Sequence, residues 1–330
     1  MSNFITVPIS ANGVIFDGSM NDVIAEAMLE IPFGFEDVYL YSHGWSTDAY
    51  VAMDEYNQFS VDLSKRILIA SNGNNPCLVK PPQSHLGIGI HWPSEVTEDP
   101  TSPLNALQLF SFYSMGQRAE TVGKNAVYAM LRLILESRKG SQRPLRFFLL
   151  GHSFGGRVVC AALNDLQVDI ANRTIGMPTG PVTFRVVLLE AAFDNDNLEP
   201  TDIYGKVCDI AGIRVLMTIS QLDKALGEWY PAASKLQNLF HKDLVKQALG
   251  FAGPTPATIG AFHGAGKTSI VPGFLANGIT QLTSRLIVAD LTPVHQARVD
   301  AHLYNGGFSG SHSDINFEEV YQMIMGFLFA

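Results

Sequence analysis

A Gly-His-Ser-Phe-Gly-Gly stretch at residues 151–156 constrains the fold of this chain more than any other feature. The apolar run 147–150 precedes it, and a helix-compatible stretch at residues 157–166 follows at once. Glycine is needed on both sides of a serine in a sharp turn, because a Cβ there would collide with the neighbouring strand or helix. The pattern predicts a strand, a tight turn and a helix, with the hydroxyl of Ser153 held above the end of a sheet.

Other apolar runs alternate with helix-compatible stretches along the chain. Strands are predicted at residues 38–41, 86–92, 147–150, 184–189, 214–219 and 286–289. Helices are predicted at residues 21–30, 46–70, 116–137, 157–166 and 317–329. Strands that are apolar throughout and separated by helices are typical of a mostly parallel sheet with helices on both faces. Residues 4–9 and 14–17 add a predicted hairpin around Asn12-Gly13.

Composition restricts the class of protein. The chain has 330 residues, of which 47 % are hydrophobic and 16 % charged, so it is long and apolar enough for a large core. We expect one α/β domain over residues 1–330. The net charge of −9 comes without clustered Lys or Arg, which argues against a nucleic-acid partner. Because the sequence has neither a run of about eighteen apolar residues nor a signal-peptide pattern, we expect a soluble, cytoplasmic protein.

The three cysteines, Cys77, Cys160 and Cys208, form an odd and widely spaced set. That spacing fits neither a disulfide framework nor a zinc site. Two of them lie in apolar neighbourhoods, where cysteine usually packs as a small core residue. We therefore expect a reducing compartment, and neither a metal nor a cofactor.

Residues 225–284 interrupt the alternation of strands and helices. They combine a predicted amphipathic helix, from Leu236 to Ala248, with a Gly- and Pro-rich loop over residues 253–273. This insert lies just before the last predicted strand, a position that fits a lid over a substrate. A surface excursion that packs its own small apolar cluster is an equally good interpretation.

Ser153 needs two partners to act as a nucleophile. A serine hydroxyl is weakly nucleophilic at neutral pH, so it requires a base and a carboxylate that orients this base. In chains with such a serine turn the expected order is serine, acid, histidine. His312 is placed best, because it follows the last predicted strand in a loop of small residues. His302 is the reserve candidate, and a surface histidine at the start of the last helix is the alternative interpretation of His312.

Two positions are open for the carboxylate. Asp223 follows the predicted strand 214–219, whereas Asp194 and Asp196 follow the preceding strand, 184–189. The acid most often lies after the later of these strands, so chain order favours Asp223 and leaves Asp194 and Asp196 as alternatives.

Backbone N–H groups are expected to stabilise the oxyanion that forms during attack by Ser153. One donor should be the N–H of Phe154, directly after the serine. The second should come from the His43-Gly44-Trp45 turn, with Trp45 as donor and Gly44 giving the backbone freedom to aim it. For His43 we expect a hydrogen bond that fixes this turn.

Together these residues resemble the α/β-hydrolase superfamily over most of the chain. The resemblance is carried by residues 41–45 (YSHGW), 90–94 (IHWPS), 151–156 (GHSFGG), 220–226 (SQLDKAL) and 311–315 (SHSDI), which are similar to a poorly characterised branch. It implies an α/β-hydrolase fold, with the triad Ser153, Asp223 and His312. The insert departs from compact members of the branch, so substrate size stays open.

The residues and the resemblance favour a serine hydrolase that cleaves carboxylic esters, in the manner of an esterase or lipase, through an acyl-enzyme on Ser153. The partner would then be a small-molecule ester. Aromatic and aliphatic residues at 104–113 and in the insert would suit an apolar acyl group.

Three other functions are compatible with parts of the sequence. Acyl transfer to an alcohol would use the same residues, and a protein with this fold could also bind a ligand without turning it over. The third is nucleotide binding, since residues 261–268 match a relaxed phosphate-loop pattern. Prolines on both sides of that segment oppose the strand and helix that a phosphate loop needs.

Overall fold

The computed structural model describes residues 5–15, 35–45, 47, 49–72, 85–94, 106–237, 246–264, 267–274, 284–304 and 309–328. Its strands are β1 (Ile5–Pro8), β2 (Asp37–Ser42), β3 (His85–His91), β4 (Leu145–His152), β5 (Val182–Leu189), β6 (Arg214–Ile219), β7 (Lys267–Ser269) and β8 (Leu286–Asp290). All six strands predicted from the apolar runs are present, with ends within two residues of the predicted ones.

The strands form one sheet in the order β1-β3-β2-β4-β5-β6-β8-β7, and every described pair is parallel. At its centre, Leu40 of β2 lies beside Leu149 of β4, which lies beside Val186 of β5. Since parallel neighbours run in one direction, the carboxyl ends of β2, β4, β5 and β6 lie along the same edge of the sheet. Ligands of open α/β sheets bind at this edge.

Helices follow most of the strands. They are α1 (Ala49–Asn72), α2 (Ala106–Val122), α3 (Tyr128–Ser137), α4 (Phe154–Asn172), α5 (Tyr230–Gln237), α6 (Leu249–Ala252), α7 (Pro256–Ala261), α8 (Thr292–Asp300) and α9 (Glu318–Leu328). A π-helical turn, Gly123–Val127, joins α2 to α3, where a Cβ on Gly123 would overlap the carbonyl oxygen of Val158 in α4. The predicted helix at residues 21–30 lies outside the described residues.

Helices cover both faces of the sheet, as predicted. Successive side chains of a strand point to opposite faces, and β4 shows this, since Phe147 and Leu149 belong to one apolar cluster and Phe148 and Leu150 to the other. The first cluster includes buried residues of α2, α3 and α4, and the second includes those of α1 and α9. Each strand of the centre is thereby buried on both sides.

The turn of the predicted N-terminal hairpin is confirmed, and its second strand lies partly outside the described residues. The turn is present, because the N–H of Ser10 donates to the carbonyl of Val14 at 2.7 Å and Gly13 has a φ of 72°. Within residues 5–15, which the structure describes, one antiparallel bridge joins its two sides, Ile9 to Ile15. β1 instead pairs in parallel with β3 and extends the main sheet, because parallel pairing places Val7 in the large core.

The described residues of the insert pack against the main sheet. Its buried residues Leu226, Tyr230 and Phe262 belong to the main core on the α4 face, and its strand β7 extends the sheet beside β8. The predicted amphipathic helix does not reach Ala248, whose backbone is extended, and residues 238–245 lie outside the described part. The described part of the insert thus packs on the main core, and both the lid and the surface-excursion interpretations of the whole insert stay predictions.

The phosphate-loop pattern at residues 261–268 falls on a helix followed by a strand. α7 ends at Ala261, and Lys267 and Thr268 belong to β7. The Nζ of Lys267 lies 2.7 Å from Asp290 Oδ2. A phosphate loop needs the reverse order, with the lysine at the start of a helix.

The architecture is that of an α/β-hydrolase fold: a parallel sheet, crossover helices on both faces, and a strand-turn-helix unit at its centre formed by β4 and α4. Among the described residues, no helix is both long and apolar enough to cross a membrane.

Candidate active site

Ser153 occupies a strained turn between β4 and α4. Its backbone has φ 55° and ψ −122°, a conformation that a residue with a side chain rarely adopts. Two hydrogen bonds tie the turn to the end of β5. The N–H of Ser153 donates to the carbonyl of Leu189 at 2.9 Å, and its carbonyl accepts from the N–H of Ala192 at 3.0 Å. Such strain is typical of functional sites, where the surrounding structure holds it in place.

The glycines of the turn are required by close backbone approach. A Cβ on Gly151 would overlap the carbonyl oxygen of Gly155, and a Cβ on Gly155 would overlap that of Ser42 at the end of β2. β4 can therefore turn into α4, and α4 can pack against the end of β2, only if both positions lack a side chain.

Ser153, His312 and Asp223 form a continuous hydrogen-bonded chain. The Oγ of Ser153 lies 2.8 Å from Nε2 of His312, and Nδ1 of His312 lies 2.7 Å from Oδ2 of Asp223. Because Asp223 accepts at Nδ1, the imidazole presents its lone pair at Nε2 to the serine hydroxyl. Asp223 is fully buried, whereas the His312 side chain keeps 12 % of its surface exposed.

Asp223 is held by the loop after β6. Its second oxygen, Oδ1, accepts from the N–H of Leu226 at 2.9 Å, where a π-helical turn, Ala225–Trp229, begins. The alternative acids have other partners: Asp194 accepts from the Tyr230 hydroxyl at 2.7 Å, and Asp196 forms an ion pair with Lys246.

The histidine loop is fixed from two sides. On the serine side, Nε2 of His152 donates to the carbonyl of His312 at 2.8 Å. On the acid side, Gly310 forms a bridge with Asp223, and its φ of 66° and its contact with the Leu222 carbonyl exclude a side chain. The residue before the serine thus positions the histidine backbone, a role that the sequence pattern does not indicate.

Helix α8 supports the same loop from behind. The Nε2 of buried His295 donates to the carbonyl of Asp314 at 3.0 Å, and its Nδ1 accepts from the Ser220 hydroxyl at 2.9 Å. Arg298 binds both oxygens of the Asp314 carboxylate at 2.8 Å. Bidentate pairs of this kind fix geometry as well as charge. α8 therefore joins the loop after β6 to the histidine loop.

The predicted oxyanion turn passes directly over Ser153. A Cβ on Gly44 would lie 2.9 Å from the Cβ of Ser153, so the backbone of the turn packs against the serine. His43 fixes this turn, since Nδ1 donates to the Gly44 carbonyl at 2.8 Å and Nε2 accepts from the N–H of Trp92 at 3.2 Å. Burial lowers the pKa of His43 to about 3, so the ring is neutral. Phe154, the other predicted donor, is the first residue of α4.

The Trp-Pro-Ser stretch after β3 completes the turn. Ser94 is buried, and its Oγ lies 3.1 Å from both the N–H and the carbonyl of Thr47. Trp92 stacks on His43 with ring centroids 5.3 Å apart. The stretch thus anchors the chain just beyond Trp45.

Sequence reasoning missed Glu190, which directly follows β5. It is fully buried, and its carboxylate lies 3.7 Å from Nδ1 of His312 and 3.8 Å from Nδ1 of His295. The signal was an acidic residue at the carboxyl end of an apolar strand. The acids predicted after this strand were instead Asp194 and Asp196, a few residues further on.

The reserve histidine lies elsewhere. His302 is exposed on the turn after α8, and His263 is exposed on the turn after α7. His312 is the histidine that contacts Ser153.

A cavity of about 250 Å³ adjoins the start of α4. Phe154 and Arg157 of α4 line one side, and α2, α5 and the loop after β5 form the rest. The other lining residues are Gly116, Gln117, Glu120, Asp194, Asn197, Ile203, Tyr230, Ala233 and Ser234. Most of the lining side chains are polar.

One cluster of described residues has the spacing of metal ligands: Glu190, Asp223 and His312. The 2.7 Å separation of His312 Nδ1 and Asp223 Oδ2 is that of a hydrogen bond. A proton on that line fits the pair better than a metal ion does.

No family model and no curated protein matches this sequence. Among solved structures, the chain is similar to a candidate cell surface hydrolase from Lactobacillus plantarum WCFS1, with 10 % sequence identity and a TM-score of 0.24. The match covers 58 % of this chain and 70 % of the other. A likeness at this level carries no argument, so the superfamily branch and the cytoplasmic location stay predictions.

Proposed function

We propose that this protein is a serine hydrolase that cleaves carboxylic esters, with Ser153, His312 and Asp223 as its triad. The observation that carries the proposal is the hydrogen-bonded chain from Ser153 Oγ through both ring nitrogens of His312 to the buried Asp223. This chain starts from a serine in a strained turn at the carboxyl edge of a parallel sheet, where such sites occur.

In the proposed reaction the hydroxyl of Ser153 attacks the ester carbonyl while His312 Nε2 takes its proton. The tetrahedral intermediate collapses, the proton passes from His312 to the leaving alkoxide, and an acyl-enzyme remains on Ser153. Water then attacks the acyl carbon with His312 again as base, the bond from the acyl carbon to Ser153 Oγ breaks, and Oγ takes the proton from His312 as the carboxylic acid leaves. Asp223 holds the Nδ1 proton throughout and stabilises the imidazolium that forms twice.

Backbone N–H groups of Phe154 and Trp45 are the proposed donors to the oxyanion. The packing of Gly44 on Ser153 supports this, because it brings the turn within reach of a carbonyl bound at the serine. Removal of one such donor typically costs about 3 kcal/mol of transition-state stabilisation.

The cavity beside Phe154 is the proposed site of one substrate group. It is bounded by Arg157 and by Tyr230 of the insert, so the insert supplies part of its wall. The apolar acyl group expected from residues 104–113 draws no support from the structure, because the side chains of that segment lie outside the described part. The polar lining of the cavity favours a substrate group that forms hydrogen bonds.

Hydrolysis of p-nitrophenyl esters of graded acyl length tests the proposed function. The native chain should release p-nitrophenol and free acid, whereas Ser153→Ala should lose at least about 10³-fold in kcat, as triad removal does elsewhere. Ser137→Ala, at an exposed serine on α3, is the matched control and should keep full activity. Equal turnover by Ser153→Ala and the native chain would remove Ser153 from the mechanism.

A further inference from the structure

Glu190 is locked in place behind the proposed triad. It follows β5 with a φ of 42°, a left-handed backbone that a residue with a side chain rarely adopts. Its N–H donates to the Thr218 hydroxyl of β6 at 2.8 Å. Gly250 packs so closely that a Cβ there would overlap the backbone of Glu190. The surrounding structure thus forces a carboxyl group into the space between β5 and β6.

The carboxyl group of Glu190 points at the proposed catalytic residues. One of its oxygens, one oxygen of Asp223 and one ring nitrogen of His312 lie within 4.8 Å of one another. The other close neighbour is Nδ1 of His295, at 3.8 Å. Among the described residues, neither oxygen of Glu190 has a hydrogen-bond partner that meets strict geometry.

Among the described residues, no N–H or O–H group is directed so that it could donate a hydrogen bond to an ionised Glu190. The Nδ1–H of His312 is directed to Asp223 at 2.7 Å. His295 uses its single proton on Nε2 for the carbonyl of Asp314, so its Nδ1 carries a lone pair and accepts from Ser220. A buried carboxylate without donors is strongly disfavoured, whereas a protonated carboxyl brings its own hydrogen.

We propose that Glu190 is a positioning residue of this active site: a neutral carboxylic acid that shares its proton with Asp223, so that the two carboxyls present one negative charge to His312. The inference rests on the proposed function. It explains why a second acid can be buried beside the triad acid without the repulsion of two carboxylates.

The charges around Glu190 agree with this state. Burial raises the pKa of Glu190 well above its usual range, and the charges of Asp223 and Asp314 raise it further. The other groups that face it are His312, His295 and Tyr304. One raised pKa is what two carboxyls that share a site produce.

Loss of the Asp223 charge should convert Glu190 into a substitute acid. Burial and, after it, the charge of Asp223 raise the pKa of Glu190, so this pKa should fall in Asp223→Asn, where that charge is gone. One oxygen of Glu190 already lies 3.7 Å from His312 Nδ1. Ionised Glu190 can then hold the imidazolium, though from a longer distance than Asp223.

The test is the second-order rate of reaction of Ser153 with a fluorophosphonate probe between pH 5 and 9. The variants are Glu190→Gln, Asp223→Asn and the double variant, with Asp196→Asn as control at an acid paired to Lys246. Glu190→Gln should cost less than about tenfold in the native chain but at least about thirtyfold more in Asp223→Asn, since residues that act as a unit are not additive. The Asp223→Asn rate should rise with pH as Glu190 loses its proton, and the double variant should lose that rise.

Two results would overturn the inference: a double variant as reactive as Asp223→Asn, or Glu190→Gln as impaired as Asp223→Asn. The first result would show that Glu190 and Asp223 are not coupled. The second would show that Glu190 is already an ionised partner of His312 in the native chain. If Glu190→Gln does not fold, the pH profile of Asp223→Asn decides alone, because a flat profile contradicts a substitute acid. Failure of the native chain to react with the probe would instead contradict the proposed function.

Discussion

His43 and His152 flank Ser153 without joining the proposed proton relay. Each is buried and uses one ring nitrogen to fix a backbone carbonyl, that of Gly44 for His43 and that of His312 for His152. Burial lowers the pKa of both rings to about 3. They therefore stay neutral at neutral pH and act as rigid hydrogen-bond donors.

These two histidines should make the protein sensitive to acid. In the unfolded chain each binds a proton near pH 6.5, whereas the folded chain takes it up only near pH 3, so the unfolded state binds more protons between these values. Stability should therefore fall as pH decreases, by about 2 kcal/mol per histidine between pH 7 and pH 5. Urea denaturation at pH 7, 6 and 5 measures this loss.

His152→Gln removes one of the two titrating rings. Burial also lowers the pKa of His85 and His295, so the pH dependence should weaken and not vanish: between pH 7 and pH 5 the variant should lose about 2 kcal/mol less free energy of unfolding than the native chain. A variant with the native slope would show that His152 is not buried in its neutral form.

At the residue level, the sequence was informative wherever sterics or chain order restrict the choice. Gly151 and Gly155 are needed by any chain that makes this turn, and chain order points to Asp223 and His312. Glu190 and His152 lack such a signal, because their roles depend on neighbours more than thirty positions away along the chain. Only the folded sheet brings Glu190 beside Asp223.

At the level of elements, apolar runs predicted the buried strands because those strands are covered on both faces. The edge strands β1 and β7 lack this signal. β1 was predicted as one strand of a hairpin because the Asn-Gly turn that follows it is present. β7 has three residues, and two of them are exposed. The position of an edge strand depends on the other segments that pack against it, and the sequence of the strand itself does not specify them.

Helices α2, α4 and α5 enclose the cavity that carries Arg157. The Nε of Arg157 is buried and has no hydrogen-bond partner among the described residues. The acids around it have other partners, since Glu120 lies 2.6 Å from Lys124 and Asp194 accepts from Tyr230. Arg157 lines the cavity, where we expect its guanidinium to bind an acceptor on a substrate.

If the protein cleaves esters as proposed, we expect it to prefer acyl groups that end in a carboxylate. Mono-p-nitrophenyl glutarate and p-nitrophenyl pentanoate have acyl chains of equal length and differ in that group. Arg157→Gln should lower the ratio of their kcat/KM values by about tenfold, because a hydrogen bond to a charged group contributes about 1.5–3 kcal/mol. Arg173→Gln, at the exposed end of the same helix, should leave the ratio unchanged. If Arg157→Gln leaves the ratio unchanged, the carboxylate of the substrate does not bind Arg157.

At the scale of the whole molecule, the site is assembled from the ends of four adjacent strands. β2 leads to the Gly44 turn, β4 to Ser153, β5 to Glu190 and β6 to Asp223. His312 then reaches the same edge from a loop that α8 supports. The alternation of strands and helices predicted a parallel sheet, but the strand order follows from packing over the whole chain, which no single segment encodes.

The most direct test of the proposed triad is to identify the serine of the folded protein that reacts with a fluorophosphonate probe. The reagent phosphonylates a serine that a histidine activates, so peptide mapping of the labelled chain reports the nucleophile without knowledge of the substrate. We expect one label per chain, on Ser153, and no label in Ser153→Ala. A folded native chain that stays unlabelled, or carries its label on another serine, would contradict the proposed triad.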